Sequence, residues 1–126
     1  MTKEIISTSD APEAVGAYSQ ATKANGFVFT AGQIPLTPDG ELVEGTVEKQ
    51  TRQCLENIRA VLEEAGTSME NVVKVTVFLD DIDDFGEMNS TYETFFDENP
   101  PARSAVEAGN IPKGVAVEIE AVAVAD

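Results

Sequence analysis

A strand near the end of the chain, predicted at Val115–Val124, restricts the fold more than any other segment. Apolar side chains fill one face of its alternating pattern, and the other face is also largely apolar, although it carries Glu118 and Glu120. Two apolar faces are typical of a strand in a sheet that is covered on both sides. The rest of the chain predicts only two helices, and right-handed connections place both on one face. The opposite face therefore requires another subunit, and we expect a closed, symmetric oligomer.

The first third of the chain predicts a β-hairpin. Strands at Ala17–Ala24 and Phe27–Gly32 flank Asn25-Gly26, a dipeptide suited to a type I′ turn because both of its central residues need positive φ. A short strand at Glu4–Ile6 precedes them. The N-terminal region therefore begins as an antiparallel ladder.

Two amphipathic helices are predicted after the hairpin. Apolar residues recur at helical spacing from Val47 to Ala65, between a candidate N-cap at Thr46 and a candidate C′ residue at Gly66. Asp84 and Glu87 have the spacing of a capping box for the second helix. The apolar stripe of that helix is Phe85, Met88, Tyr92, Phe95 and Phe96.

The remaining strands complete a single domain. Val72–Leu79 reads as a buried strand, and Arg103–Ala108 with Val115–Val124 predicts a closing hairpin. The order is then hairpin, helix, strand, helix, hairpin, without repeats or linkers. We therefore predict one α+β domain over residues 1–126, with two helices on one face of a β-sheet.

The charge of the chain restricts its partners. Its 126 residues carry 8 Lys and Arg against 23 Asp and Glu, a net charge of −15. Such a surface repels phosphate backbones, so nucleic-acid binding is disfavoured. It suits a halophile-like, saline cytoplasm, because at about 1 M salt the Debye length is roughly 3 Å. No apolar run is long enough to span a membrane, and no secretory signal is readable, so we expect a cytoplasmic protein without membrane contact.

Missing residue types exclude several mechanisms. The chain has no His and one Cys, so it can form neither a Ser-His-Asp triad nor a Cys-pair zinc site. Cys54 lies on the apolar stripe of the first helix and is interpreted as a core residue. The acidic run Asp80–Asp84 fails as a calcium loop, since Phe85 and Tyr92 occupy ligand positions. We predict no metal site, and the available chemistry lies in carboxylates, arginines, tyrosines and backbone amides.

Two sets of charged residues could carry that chemistry. Glu118 and Glu120 share one face of an apolar strand, where a carboxylate is costly unless it is paired or functional. The structural alternatives are an edge position with solvated ends, or pairing with Lys74. Arg103 follows two prolines that restrict its backbone, and its fork suits bidentate binding of a carboxylate. A surface ion pair is the alternative for Arg103.

Five segments of the chain form a recognisable set. They are Gly16-Ala17-Tyr18-Ser19-Gln20-Ala21, Phe29-Thr30-Ala31-Gly32-Gln33-Ile34-Pro35, Asn89-Ser90-Thr91-Tyr92-Glu93-Thr94-Phe95-Phe96, Pro101-Ala102-Arg103-Ser104 and Val117-Glu118-Ile119-Glu120-Ala121. Together they resemble one family, the reactive intermediate deaminases (Rid, formerly YjgF) of the RidA type. The match is collinear over nearly the whole chain. It implies a chorismate-mutase-like fold and a homotrimer whose sites lie between subunits. It also implies hydrolysis of 2-iminobutanoate, 2-iminopropanoate and 2-aminoacrylate to 2-keto acids and ammonia, without a cofactor.

The resemblance also implies roles for individual residues. Arg103 matches the arginine that clamps the substrate carboxylate, and Glu118 matches the glutamate that holds or activates the attacking water. Tyr18 matches a catalytic tyrosine that lines the cleft. Gly32 lies where the backbone approaches the ligand, and Asn89 is expected to support the cleft as a substrate-binding residue. Glu120 is assigned to structure.

Two positions depart from the family pattern. Ala31 stands where deaminating members often have Ser, which removes a hydroxyl. Ala105 stands where they often have Cys, and we expect it to bind substrate through its backbone. Two other functions remain open: a non-catalytic ligand-binding or chaperone-like trimer, and a ribonuclease or translation inhibitor, which the net charge disfavours.

Overall fold

The computed structural model describes residues 2–96 and 98–125 of the chain, which form one mixed sheet of six strands with two α-helices. The strands are β1 Glu4–Ile6, β2 Ala21–Ala24, β3 Phe27–Thr30, β4 Val72–Leu79, β5 Ala102–Glu107 and β6 Val117–Val124. The helices are α1 Val47–Glu64 and α2 Phe85–Tyr92. The strand order is β1-β2-β3-β6-β4-β5. The α+β class is confirmed, and within the described residues neither helix has the length and apolarity needed to cross a bilayer.

The N-terminal hairpin is confirmed, with shorter strands than predicted. Asn25 and Gly26 have φ of 53° and 78°, as a type I′ turn requires. Strand β2 begins only at Ala21. The residues before it form a loop, in which the Gln20 side chain binds the backbone of Thr8 and Pro12. Strand β3 ends at Thr30, whose hydroxyl oxygen accepts a hydrogen bond from the Ala121 N–H at 3.0 Å.

The prediction of a closing hairpin is wrong. Strand β6 lies between β3 and β4 and is antiparallel to both, whereas β5 pairs with β4 alone and in parallel. Helix α2 forms the crossover between these two parallel strands, as parallel neighbours require. The strand with two apolar faces therefore takes the interior of the sheet, and β5 becomes an edge.

Helix α1 begins and ends where the sequence predicts. The Thr46 hydroxyl oxygen accepts a hydrogen bond from the Lys49 N–H at 3.2 Å, and Gly66 follows the helix with φ of 88°. Cys54 is fully buried and its Sγ lies 3.7 Å from the Val117 carbonyl oxygen, so its core role is confirmed.

The prediction of a capping box at the start of α2 is wrong. Asp84 makes no capping hydrogen bond through its side chain, and Glu87 instead accepts from the N–H of Glu48 at 3.3 Å. A 3₁₀ turn at Ile82–Asp84 runs directly into the helix, and Asp81 caps that turn by accepting from the Asp83 N–H at 2.9 Å. The helix ends at Tyr92, although Phe96 beyond it is still buried.

The two faces of the sheet differ. The face under the helices is a closed apolar core that includes Val28, Val75, Val77 and Ile119, each at most 1% exposed. The other face presents large apolar side chains that are 39–54% exposed: Ile5, Phe27, Phe29, Val106 and Val124. Such a contiguous apolar surface is typical of an interface.

Candidate functional site

Glu118 lies on the face of β6 that points away from the helices, which we call the open face, and it borders a cavity of about 480 Å³. The walls are mainly loop residues from three segments, at 12–20, 31–36 and 112–113. Burial raises the pKa of the Glu118 carboxyl above its ordinary range, and the charge of Glu120 raises it further. A carboxyl of this kind can take up and return a proton closer to neutral pH than an exposed one.

Gly32 brings backbone against the Glu118 carboxylate. Residues 31 and 32 interrupt the pairing with β6. Before them the Thr30 hydroxyl binds the Ala121 N–H, and after them the N–H and C=O of Gln33 pair with Ile119 at 2.7 and 3.0 Å. A Cβ placed on Gly32 would lie 2.9 Å from Glu118 Cδ and closer still to Oε2. Only glycine therefore permits the observed position of this carboxylate.

Tyr18 and Lys113 complete the polar lining of the same cavity. Tyr18 is 52% exposed, and its hydroxyl oxygen accepts a long hydrogen bond from the Val15 N–H at 3.4 Å. Lys113 adopts φ of 63°, in the left-handed region. The sequence analysis missed Lys113, for which the turn-forming run Pro112-Lys113-Gly114 was the available signal. Ala31 also borders the cavity, with a methyl group and no hydroxyl.

Arg103 lies in a different recess, of about 370 Å³, between β5 and α2. Its Nη1 donates to Asn89 Oδ1 at 2.6 Å, and the Asn89 amide in turn donates to Glu93 Oε1 at 3.0 Å. The guanidinium carbon lies 4.7 Å from the ring centroid of Tyr92 and 5.1 Å from that of Phe85. The predicted alternative of a surface ion pair is wrong, since among the described residues this guanidinium has an amide partner and two aromatic ones.

The predicted site residues therefore form two groups within one subunit. Glu118 on β6 pairs with Phe78 on β4, which in turn pairs with Val106 on β5. Arg103 lies three residues before Val106 on β5, so its side chain is on the opposite face of the sheet. Two strand spacings and three residue rises separate their Cα atoms by about 14 Å. Glu118, Tyr18 and Gly32 lie together, whereas Asn89 lies beside Arg103, and Ala105 shares the core-facing side of β5.

Lys74 does not pair with either glutamate. Its Nζ donates to Ser104 Oγ at 2.8 Å, and the ion pairs found among the described residues involve α1 alone. Glu120 lies opposite Thr76 on the open face and is exposed. The structural pairing proposed from the sequence is therefore wrong within one subunit. The described residues also contain no cluster of acidic or Cys side chains able to hold a metal ion.

Fold and site define a class: a small α+β domain with one acidic and one cationic recess on opposite faces of its sheet. A family model described as Endoribonuclease L-PSP matches residues 8–125. A RutC family protein of Pyrococcus horikoshii is 55% identical over 96% of this chain and 97% of its own. A rat protein named 2-iminobutanoate/2-iminopropanoate deaminase is 47% identical over 97% and 90%. The crystal structure of E. coli TdcF with bound serine superimposes with a TM-score of 0.93 at 42% identity, covering 98% and 99%.

The chain belongs to this family, the Rid or YjgF family. The family predicted from the five sequence segments is thereby confirmed, together with its fold. The match runs through both recesses, since residues 8–125 include Tyr18, Gly32, Asn89, Arg103 and Glu118.

Proposed function

We propose that this protein hydrolyses reactive 2-imino acids, and their enamine tautomers, to 2-keto acids and ammonia in the cytoplasm. The observation that carries the proposal is the pair of recesses, one with an oriented guanidinium and one with a carboxyl of raised pKa. The substrate contains the two groups that such recesses bind: a carboxylate and an imine carbon open to attack by water. The rat relative that is named as a deaminase supports this assignment.

In the proposed enzyme the two recesses belong to different subunits of a homotrimer. One subunit separates Arg103 from Glu118 by about 14 Å and by the thickness of the sheet, too far for one small substrate. The exposed apolar face, with Phe27, Phe29 and Val124, is the surface that a neighbour would cover. Packing on this face would bring the Glu118 cavity of one subunit to the Arg103 recess of the next.

The proposed reaction uses Glu118 as base and then as acid. Arg103 binds the carboxylate of the substrate through its planar fork. Glu118 takes a proton from water as the oxygen attacks the imine carbon. It returns this proton to the nitrogen, which completes the carbinolamine. It then carries the hydroxyl proton of the carbinolamine to the amino nitrogen, so that the C–N bond breaks and ammonia leaves as the carbonyl forms. A group in this role contributes about 10²- to 10⁴-fold. The backbone beside Gly32 and the Tyr18 hydroxyl are placed to bind the water or the substrate nitrogen.

The family description also names an endoribonuclease, which is the competing activity. The net charge of −15 opposes RNA binding, and Lys113 is the one cation among the residues that line the Glu118 cavity in the described chain. A non-catalytic ligand-binding trimer is the other competitor.

One experiment separates these functions. Imines are generated in situ from several amino acids, and ammonia and 2-keto acid are measured beside cleavage of single-stranded RNA at the same salt concentration. We expect deamination without RNA cleavage, and a trimer by light scattering in molar salt. RNA cleavage that Glu118→Gln abolishes would favour the endoribonuclease. Binding of 2-keto acids without any imine turnover would favour the ligand-binding trimer.

A further inference from the structure

Two walls of the Glu118 cavity are irregular loops. One wall includes Pro12, Glu13 and Val15, and the other includes Ile34 and Leu36. Neither segment belongs to a strand or a helix, and isolated bridges are the only sheet-like pairing in them among the described residues. Loops without a ladder of their own need other partners to hold one conformation.

Gln20 provides those partners for the first wall. Its side chain is 3% exposed and binds backbone in three places. The amide oxygen accepts from the N–H of Thr8 at 2.7 Å, and the amide nitrogen donates to the carbonyls of Thr8 at 3.1 Å, Ala11 at 3.4 Å and Pro12 at 2.7 Å. The Gln20 carbonyl also accepts from Ala31 N–H at 2.8 Å. One residue therefore connects the wall to the segment that carries Gly32.

Asn57 does the same for the second wall, from inside helix α1. It is 1% exposed, and its Nδ2 donates to the carbonyl of Leu36 at 2.9 Å and lies at the limit of bonding, 3.5 Å, from that of Ile34. Gln53, one turn earlier, donates to Asn57 Oδ1 at 2.9 Å. The amide oxygen and the amide nitrogen of Asn57 therefore each have a partner, and these partners orient the nitrogen toward the loop.

We propose that Gln20 and Asn57 are positioning residues that hold the two loop walls of the Glu118 cavity in the geometry that binds substrate. That the walls bind substrate rests on the proposed function, whereas that the two amides hold the walls does not. Glu118 is held separately, by β6 and by the paired backbones of Gln33 and Ile119. Loss of either amide should therefore loosen a wall and leave the carboxyl in place. Walls bind the ground state and the transition state alike, so the effect should fall on KM and spare kcat.

Isosteric acids test the proposal. In Asn57→Asp and Gln20→Glu a carboxylate replaces the amide nitrogen and faces carbonyl oxygens, while the size of the side chain is kept. Asn57→Ala removes the same hydrogen bonds without adding charge. The matched control is Asn71→Asp, an equal change of charge at an exposed amide that binds Thr67 Oγ1 at 3.1 Å, away from the cavity. Each variant is measured by hydrogen exchange, melting temperature, KM and kcat.

We expect hydrogen exchange to rise about ten-fold at residues 34–37 in Asn57→Asp and Asn57→Ala, and at residues 8–15 in Gln20→Glu, with β6 and Gln33 unchanged. KM for the imine should rise about ten-fold, with kcat within about three-fold of wild type. The control should match wild type. Unchanged exchange in the walls, or equal acceleration in β6, would overturn the proposal. If the wild-type protein hydrolyses no imine, the proposed function fails, and hydrogen exchange alone decides whether the two amides hold the walls.

Discussion

The Arg103 recess is built on α2 and β5, whereas the Glu118 cavity is walled mainly by loops. In the first, two aromatic rings and the Asn89 amide surround the guanidinium, and Glu93 orients that amide. In the second, a carboxyl on a central strand faces loops that two buried amides hold, Gln20 within the cavity wall and Asn57 behind it. In the proposed function the first recess clamps a carboxylate common to all substrates, and a rigid frame suits that role. A cavity wall made of loops can change its shape without disturbing the sheet.

The largest effect should come from Glu118→Gln. This variant keeps the size of the side chain and one acceptor but has no base, so turnover should fall by about 10²-fold or more. A 2-keto acid product should still bind, because Arg103 is intact. Turnover and product inhibition measure the two properties separately.

Glu120→Gln is the matched control for that variant. It should affect the stability of the proposed trimer more than turnover, since Glu120 lies exposed on the open face, two residues from Glu118. An inactive, stable Glu120→Gln beside an active Glu118→Gln would reverse the assignment of the two glutamates.

Arg103→Lys should reduce kcat/KM by about ten- to a hundred-fold, because lysine keeps the charge but loses the planar fork. The aromatic frame and Asn89 cannot orient an ammonium in the same way. Inhibition by 2-keto acids should weaken in parallel. Arg52→Lys, an exposed position on α1, provides the control. Full activity in Arg103→Lys would remove the recess from the site and leave the Glu118 cavity alone.

Gly32→Ala tests the contact between backbone and carboxylate. The added methyl group would overlap the Glu118 carboxylate and must displace it. We expect about a ten-fold loss of turnover with little change in melting temperature, because the side chain can move toward the cavity. Gly86→Ala is the control, because a Cβ at Gly86 meets open space. Gly40→Ala would not serve, because Gly40 has positive φ. Wild-type turnover in Gly32→Ala would show that the position of the carboxylate is not critical.

The smallest effect concerns stability and pH. Burial raises the pKa of Glu118 in the folded protein, so the native state binds this proton more tightly than the unfolded chain does. Its contribution to stability is therefore present at pH values below the ordinary carboxyl range and is lost as pH rises through the raised pKa. Glu118→Gln, which cannot ionise, should melt higher than wild type near neutral pH and equally at about pH 4. Melting curves across this range, with the exposed Glu41→Gln as control, measure the difference; a constant offset would contradict it.

The sequence by itself predicted the features that depend on local spacing. Helix α1 with Thr46 and Gly66, the turn at Asn25-Gly26 and the apolar faces of β6 each follow from residues near in the chain. The resemblance indicated Arg103 and Glu118 as site residues. Gln20 stands in one of the five segments but was given no role, and Asn57 lies beside the apolar stripe of α1, where a polar residue gives no sign that it is buried.

Only the tertiary structure decided which strands are neighbours. The predicted closing hairpin joined Arg103 and Glu118 in adjacent strands, whereas β4 lies between them and its register places them on opposite faces. Strand pairing is a long-range choice that depends on total burial. Strand β6, largely apolar on both sides, is most stable in the interior of the sheet, and the crossover through α2 leaves β5 at the edge. The separation of the two charged recesses follows from that choice, since side chains alternate faces along every strand.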